Sequence, residues 1–271
     1  MTSARGVLIV AALLAPPAAA HADPWIVPEL APPPTTALRV DTDATAVLGV
    51  ADLSSAGASG VVTARVGLGD WALALRAGVV SWRGRDRRDG ILLSDGVARS
   101  TITAGVARWW RRPPTAWQPV VRGQLLVPTH ALHPIDALRF GPTALADNST
   151  VPLLTVAGGA RRTTAGWIVQ LEAGLDGTAH EDPHAPHPFV YLWAAGTVGR
   201  RLAPGTTVGA TLLVRAALTD ADNADNAGAV GGVAVEQRVG PGRLAVGARL
   251  RLDQLATLPT QLTLGYELAL P

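Results

Sequence analysis

The chain has 271 residues, of which 48% are hydrophobic but only 4% aromatic and 16% charged, and its formal net charge is +2 at pH 7. Every basic residue is Arg, and these residues form no aromatic-interleaved basic patch, which excludes a nucleic-acid-binding surface. The chain has no Cys, which excludes disulfides and thiol chemistry, and no apolar run reaches the roughly 20 residues of a membrane-spanning helix.

The N-terminus has the pattern of a secretory signal peptide over residues 1–22. Arg5 precedes an apolar run at 7–14, and the small residues of "AAAHA" offer a cleavage site near Ala22. Residues 23–36, which include "PWIVPELAPPPTT", are rich in Pro and predict an extended periplasmic lead-in. The remaining residues, 37–271, form the predicted folded domain.

From residue 37 onward apolar residues recur at every second position, which is the period of a β-strand with one apolar face. The segment 71–83 is typical, with Trp71, Leu73 and Leu75 on one face and Arg76 on the other. In chain order, the predicted strands are 37–50, 60–69, 71–83, 97–110, 116–127, 150–161, 164–176, 188–201, 206–218, 228–239, 243–255 and 259–270. The segments 150–161 and 188–201 are apolar on both faces, and the total of twelve strands is even.

The connections between these strands alternate in length. Short turns are predicted at 69–70, 111–115, 162–163, 203–205 and 240–242. Longer loops are predicted at 51–59, 84–96, 128–149, 177–187 and 219–227, with a shorter one at 254–258. Short turns on one side and long loops on the other are typical of an outer-membrane barrel, and twelve strands place both termini on the short-turn side.

The aromatic residues are concentrated at the predicted strand ends. Those on the short-turn side are Trp71, Trp109, Trp110, Trp117 and Trp167, and those on the long-loop side are Trp82, Phe189, Tyr191 and Trp193. Two such groups predict aromatic girdles at the two membrane interfaces. Trp residues that simply cap the strands of a soluble sandwich are the alternative.

Together these features resemble a Gram-negative outer-membrane β-barrel protein. The resemblance is architectural and implies an all-β fold: a single antiparallel up-and-down transmembrane β-barrel of about twelve strands, located in the outer membrane. It also implies two partners, the outer-membrane lipid and the barrel-assembly machinery. The last strand, "QLTLGYELALP", has the alternation of that family's assembly signal and Tyr266, but lacks its terminal aromatic residue.

If the apolar faces meet lipid, the opposite faces line a lumen. These faces carry nine Arg: Arg39, Arg65, Arg76, Arg99, Arg122, Arg215, Arg238, Arg249 and Arg251. They carry five carboxylates: Asp41, Asp43, Glu172, Glu236 and Glu267. The excess of Arg predicts a pathway biased toward anions, whereas Arg–carboxylate networks that brace a filled barrel are the alternative. The apolar inner faces of 150–161 and 188–201 also allow a partly apolar lumen.

Two loops carry weaker signals for metal binding. His180, His184 and His187 lie in "HEDPHAPH", and His130 and His133 lie in an earlier loop. Loop His residues at irregular spacing are more often only solvated, and the acids of "TDADNADN" at 219–226 do not follow the spacing of a calcium loop. No metal site or other cofactor is therefore predicted.

The sequence favours a pore or transporter for small solutes with a mild anion bias. A structural or adhesion-type surface barrel with a plugged lumen is the first alternative, and a barrel lipid hydrolase is the second. No set of Ser, His and acidic residues is brought together on the predicted wall, so an enzyme is not the favoured prediction. The identity of the solute is not encoded in any motif.

Overall fold

The computed structural model describes residues 30–50, 53–86, 92–99, 102–113, 115–127, 152–178, 190–218, 227–252 and 260–270. Within these residues the chain forms thirteen β-strands. They are β1 (Ala37–Val50), β2 (Leu53–Leu68), β3 (Trp71–Asp86), β4 (Leu92–Arg99), β5 (Ile102–Trp109), β6 (Gln118–Val127), β7 (Leu153–Thr164), β8 (Trp167–Thr178), β9 (Val190–Ala203), β10 (Thr206–Ala217), β11 (Ala227–Val239), β12 (Gly242–Arg251) and β13 (Thr260–Ala269).

The sheet closes on itself because β1 pairs with β13 as well as with β2. All the pairings are antiparallel. Both β4 and β5 pair with β3: β5 pairs with its first half, at 71–76, and β4 with its second half, at 79–85. These two strands therefore occupy a single position in the wall, and the barrel has twelve strands. Among the described residues β4 pairs only with β3, while the β1–β13 pairing closes the sheet and confirms the predicted fold class.

Several predicted boundaries are corrected. Most of the predicted loop 51–59 is strand, because β1 and β2 remain paired as far as Val50 and Leu53. Much of the predicted loop 84–96 also belongs to β3 and β4. The predicted turn at 162–163 lies instead at Ala165–Gly166, where positive φ angles of 43° and 85° suit a tight hairpin turn that Gly accommodates well.

The connections at 69–70, 110–117, 165–166, 204–205 and 240–241 all lie at one end of the barrel, which we call the turn side. The start of β1 and the end of β13 lie there too, since Ala37 pairs with Ala269. The opposite end is called the loop side. The predicted loops at 128–149, 219–227 and 254–258 lie almost entirely outside the described residues.

The outer surface is apolar and the interior is polar. Large hydrophobic side chains such as Leu75, Val156 and Leu264 are about half exposed, whereas Arg65, Glu172 and Glu236 are buried inside. A soluble monomer rarely exposes a continuous apolar surface that encircles the whole molecule, so this surface is suited to lipid. No helix long and apolar enough to cross a membrane occurs among the described residues.

Candidate functional site: the barrel interior

Charged side chains line the interior in pairs that link neighbouring strands or positions. Near the turn side, the guanidinium of Arg39 donates to both carboxylate oxygens of Asp41 at 2.8 and 2.9 Å. Arg65 of β2 lies 3.2 Å from the carboxylate of Glu267 on β13, and Arg243 of β12 lies 2.7 Å from that of Glu236 on β11. Buried charges are tolerated only when they are paired in this way, so these contacts stabilise the charged interior.

A second group of polar residues lies near the middle of β6, β8 and β9. Arg122 forms an ion pair with Glu172 at 2.9 Å and donates to the side chain of Gln124. Its guanidinium also lies 5.2 Å from the centre of the Trp193 ring. Gln170 donates to Glu172 at 2.7 Å. Two amide side chains and one indole ring therefore surround the Arg122–Glu172 ion pair.

Toward the loop side, Asp176 of β8 contacts side chains of three other strands, β7, β9 and β10. Its carboxylate accepts hydrogen bonds from Thr155 at 2.7 Å and from the Trp193 indole at 3.0 Å. Arg215 lies 3.6 Å from the same carboxylate, with its guanidinium 3.7 Å from the centre of the Tyr191 ring. The aromatic residues of β9 therefore take part in the interior polar network.

Residues 30–36, which precede β1, fold back into the turn-side half of the lumen. We call them the luminal segment. The backbone N–H of Ala31 donates to Glu172 at 2.6 Å, and Gln170 donates to the Ala31 carbonyl at 3.0 Å. The Trp109 indole donates to the Pro32 carbonyl at 2.9 Å. Residues 30–36 of the predicted Pro-rich lead-in 23–36 therefore lie inside the barrel.

Further contacts fix both ends of the luminal segment. Arg65 donates to the carbonyl and the hydroxyl of Thr35 at 3.0 and 2.8 Å. Leu30 is only 2% exposed and packs against Ala195 on β9 and Ala234 on β11. A twelve-stranded barrel is wider than an eight-stranded one, whose interior its own side chains fill, and the segment occupies part of the extra width.

The described residues line at least two spaces inside the barrel. The first, of about 490 Å³, lies between Leu30, Pro32 and the wall formed by β2, β3, β5 and β6, and its lining includes Arg76 and Arg122. The second, of about 370 Å³, lies against β10–β13, and its lining includes Arg39 and Arg249. No carboxylate is among the described residues that line either space.

The structure brings most of the predicted lumen residues into the interior. Arg65, Arg76, Arg122, Arg215, Arg249, Glu172, Glu236 and Glu267 lie on inward-facing positions of their strands. Arg238 lies on the same inward phase but at the exposed turn-side rim. The side chains of Asp43, Arg99 and Arg251 lie outside the described residues.

The aromatic prediction needs correction. Trp71, Trp110, Trp117 and Trp167 face outward at the turn side. Trp109 does not, because it lies one position out of phase with Ile102 and Val106 and is buried against the luminal segment. On the loop side, Tyr191 and Trp193 also point inward, so they form no outer girdle, while Phe189 and the side chain of Trp82 lie outside the described residues.

Three charged interior residues were missed by the sequence analysis. Arg161 and Asp176 are on inward-facing positions, and Arg243 pairs with Glu236. The outward phase of Leu171 and Leu175 would have identified Asp176. Arg161 was hidden by the misplaced turn at 162–163.

The His residues predicted as weak metal ligands, His180, His184 and His187, lie outside the described residues, as does the acidic stretch 219–226. Within the described part of the chain there is no group of three or more His, Cys, Asp or Glu that could hold a metal ion.

Comparison with solved structures supports the architecture. An outer-membrane channel of Pseudomonas putida F1 superposes with a TM-score of 0.62 at 12% identity, covering 91% of this chain and 100% of that one. The chain has the fold of an outer-membrane β-barrel. The translocator domain of the autotransporter NalP from Neisseria meningitidis gives 0.53 at 9% identity, covering 87% of this chain and 88% of that one. The KdgM porin gives 0.50 at 8% identity, covering 86% and 99%.

At the sequence level, no family model and no curated protein matches this outer-membrane-type barrel. The similarity to the solved structures therefore concerns the fold, and the function is argued below from the interior of this chain.

Proposed function

We propose that this protein is an outer-membrane channel for small solutes, with a lumen narrowed by its own luminal segment. The observation that carries the proposal is a closed barrel with an apolar outer surface and a charged interior that contains residues 30–36 and still retains space along its wall. Polar wall residues offer a solute the hydrogen bonds that it loses on leaving water. The similarity in fold to an outer-membrane channel supports this reading.

We further propose a bias of this channel toward anions. Apart from Arg201 and Arg238 at the exposed turn-side rim, eight Arg occupy inward positions among the described residues: Arg39, Arg65, Arg76, Arg122, Arg161, Arg215, Arg243 and Arg249. Five carboxylates accompany them: Asp41, Asp176, Glu172, Glu236 and Glu267. This leaves a net charge of three positive units, and both luminal spaces are lined by Arg without carboxylates. Such a wall raises the local anion concentration.

The proposed channel is tested by reconstituting the refolded protein in planar bilayers and recording single-channel current in potassium chloride. Discrete current steps are expected. Their absence, both in the full mature chain and in a variant without the luminal segment, would contradict the channel proposal.

The plugged structural barrel is the second candidate, and the luminal segment is the observation that favours it. A segment that is hydrogen-bonded at Ala31, Pro32 and Thr35 could close the lumen permanently. The same recordings separate the two candidates, because a permanently closed barrel carries current only after the segment is removed.

Replacement of Arg76 and Arg249 by Ser is expected to move the ratio of anion to cation permeability toward unity. Each residue contributes a positive charge to one of the two luminal spaces, so the double variant weakens the attraction of anions along both. The reversal potential in a potassium chloride gradient measures the ratio. Arg112→Ser is the matched control, because Arg112 is exposed in the turn 110–117. An equal shift in both variants would contradict the assignment to the lumen.

A further inference from the structure

Cationic and aromatic side chains meet on the outer surface at the turn side. The guanidinium carbon of Arg108 lies 5.4 Å from the centre of the Trp71 ring and 5.3 Å from that of Trp110. All three side chains face outward, as their exposure shows. Arg108 is thus a cation held between two exposed indoles, an arrangement that the channel proposal does not use.

A second pair repeats this arrangement four strands away. The guanidinium carbon of Arg200 lies 5.1 Å from the centre of the Trp167 ring. Trp117 and Arg162, also outward and exposed, lie between the two pairs. We call the whole set the Trp–Arg arc, and its members are Trp71, Arg108, Trp110, Trp117, Arg162, Trp167 and Arg200.

The Trp–Arg arc covers only one side of the barrel, from β3 round to β9. On the other side, the described outward positions at the same end carry apolar residues such as Leu68, Val239 and Leu270, and one Tyr, Tyr266, whose hydroxyl donates to the Val239 carbonyl, but no Trp and no Arg. This difference matters because all twelve strands meet the same membrane interface. A general preference of aromatic residues for the interface would distribute them around the whole circumference.

The guanidinium groups of Arg108 and Arg200 have no carboxylate and no hydrogen-bond acceptor among the described residues. Neighbouring Arg residues differ, since Arg111 pairs with Asp70 at 3.1 Å and Arg162 donates to the Thr115 carbonyl at 2.7 Å. A guanidinium carries five N–H donors in a planar fork that fits a phosphate group. Arg108 and Arg200 therefore present such donors to whatever lies against the outer surface.

The position of these charges points to the headgroup level of a membrane. An Arg on the lipid-facing surface costs about 2–4 kcal/mol at the bilayer midplane but only about 0–1 kcal/mol near the interface. Arg108 is the penultimate residue of β5 and Arg200 lies three residues before the end of β9, both on the turn side. The flanking indoles have the amphipathic character of residues that lie at this level.

We propose that the Trp–Arg arc binds the phosphate groups of glycerophospholipids in the leaflet that meets the turn side. Arg108, between Trp71 and Trp110, is the principal site, and Arg200 over Trp167 is the second. The guanidinium donates to the phosphate oxygens while the indoles contact the glycerol and the upper acyl chains. The site lies on the outer wall, so it is independent of any conduction through the lumen.

The test uses the full mature chain, refolded and stripped of lipid in a non-ionic detergent, and native mass spectrometry to count bound lipids. Phosphatidylglycerol is expected to remain bound, whereas diacylglycerol with the same acyl chains, which lacks the phosphate, is expected to dissociate. Arg108→Gln should weaken phosphatidylglycerol binding by about tenfold, because it removes a charge-assisted hydrogen-bond donor. Trp71→Leu should weaken it less, since the cation remains.

Arg112→Gln is the matched control, because Arg112 is exposed in the adjoining turn, and its side chain contacts no Trp ring among the described residues. Equal losses in Arg108→Gln and Arg112→Gln would overturn the proposal in favour of unspecific charge attraction. Equal retention of diacylglycerol would reduce the arc to a hydrophobic contact and overturn it as well. Complete displacement of phosphatidylglycerol by millimolar inorganic phosphate would also overturn the proposal, because it would identify a site for free phosphate instead.

Discussion

Single-channel conductance is expected to rise several-fold when the luminal segment is absent. A chain refolded from residue 35 onward lacks Leu30, Ala31 and Pro32, which occupy part of the turn-side half of the lumen, but keeps Thr35, which accepts hydrogen bonds from Arg65. Pore cross-section grows when this material is removed, because the barrel wall itself is closed by the β1–β13 pairing. Recordings in planar bilayers compare this chain with one refolded from residue 23.

A single substitution offers a milder version of the same test. Trp109→Phe removes the indole N–H that donates to the Pro32 carbonyl, and the segment is expected to leave the lumen more often, seen as brief openings to the larger conductance. Trp110→Phe is the matched control, since Trp110 is the next residue but faces outward. Identical recordings for Trp109→Phe and the parent would show that this bond does not hold the segment in place.

Because the chain has no Cys, an engineered disulfide can verify where the segment lies. Leu30→Cys paired with Ala234→Cys should form a disulfide in the folded protein, since the two native residues are packed together. Leu30→Cys paired with Val235→Cys should not, because Val235 is the next residue on β11 and faces outward. Non-reducing gels measure both, and equal cross-linking of the two pairs would contradict the luminal position.

The period of two in the sequence predicted the wall of the barrel because lipid and lumen impose opposite chemistries on alternate residues. In β8, for example, Leu171 and Leu175 face outward while Glu172 is buried inside, as the phase required. The same reasoning failed in β9, where Leu192 and Trp193 are both apolar and the phase is ambiguous. There the pairing of Trp193 with Arg215 shows that Trp193 faces the lumen, since directly opposite residues on paired strands lie on the same face of the sheet.

The luminal segment could not be predicted because its contacts use groups that every residue possesses. The carbonyls of Ala31, Pro32 and Thr35 accept hydrogen bonds, and the backbone N–H of Ala31 donates one. A Pro-rich sequence indicates an extended chain but not its location. The partners, in contrast, did carry a signal: Trp109 breaks the outward phase of β5, and a large side chain on the inward phase near a barrel end needs something to pack against.

Loss of the Glu172 carboxylate is expected to destabilise the barrel by about 3–5 kcal/mol, because Glu172→Leu leaves the buried guanidinium of Arg122 without its charge partner. The substitution also removes the acceptor for Gln170 and for the backbone N–H of Ala31. Arg122→Met should cost a similar amount for the converse reason. Urea titration of the protein in lipid vesicles, followed by Trp fluorescence, measures the free energy of unfolding.

The double variant and a surface pair show whether the cost arises from burial. Arg122→Met combined with Glu172→Leu should destabilise by less than the sum of the single changes, since neither charge then remains unpaired. Asp70→Ala, which breaks the exposed pair with Arg111, should cost less than about 1 kcal/mol. If Glu172→Leu costs no more than Asp70→Ala, water must screen the Arg122–Glu172 pair. That outcome would contradict a tightly packed luminal segment and would favour a wide, water-filled pore.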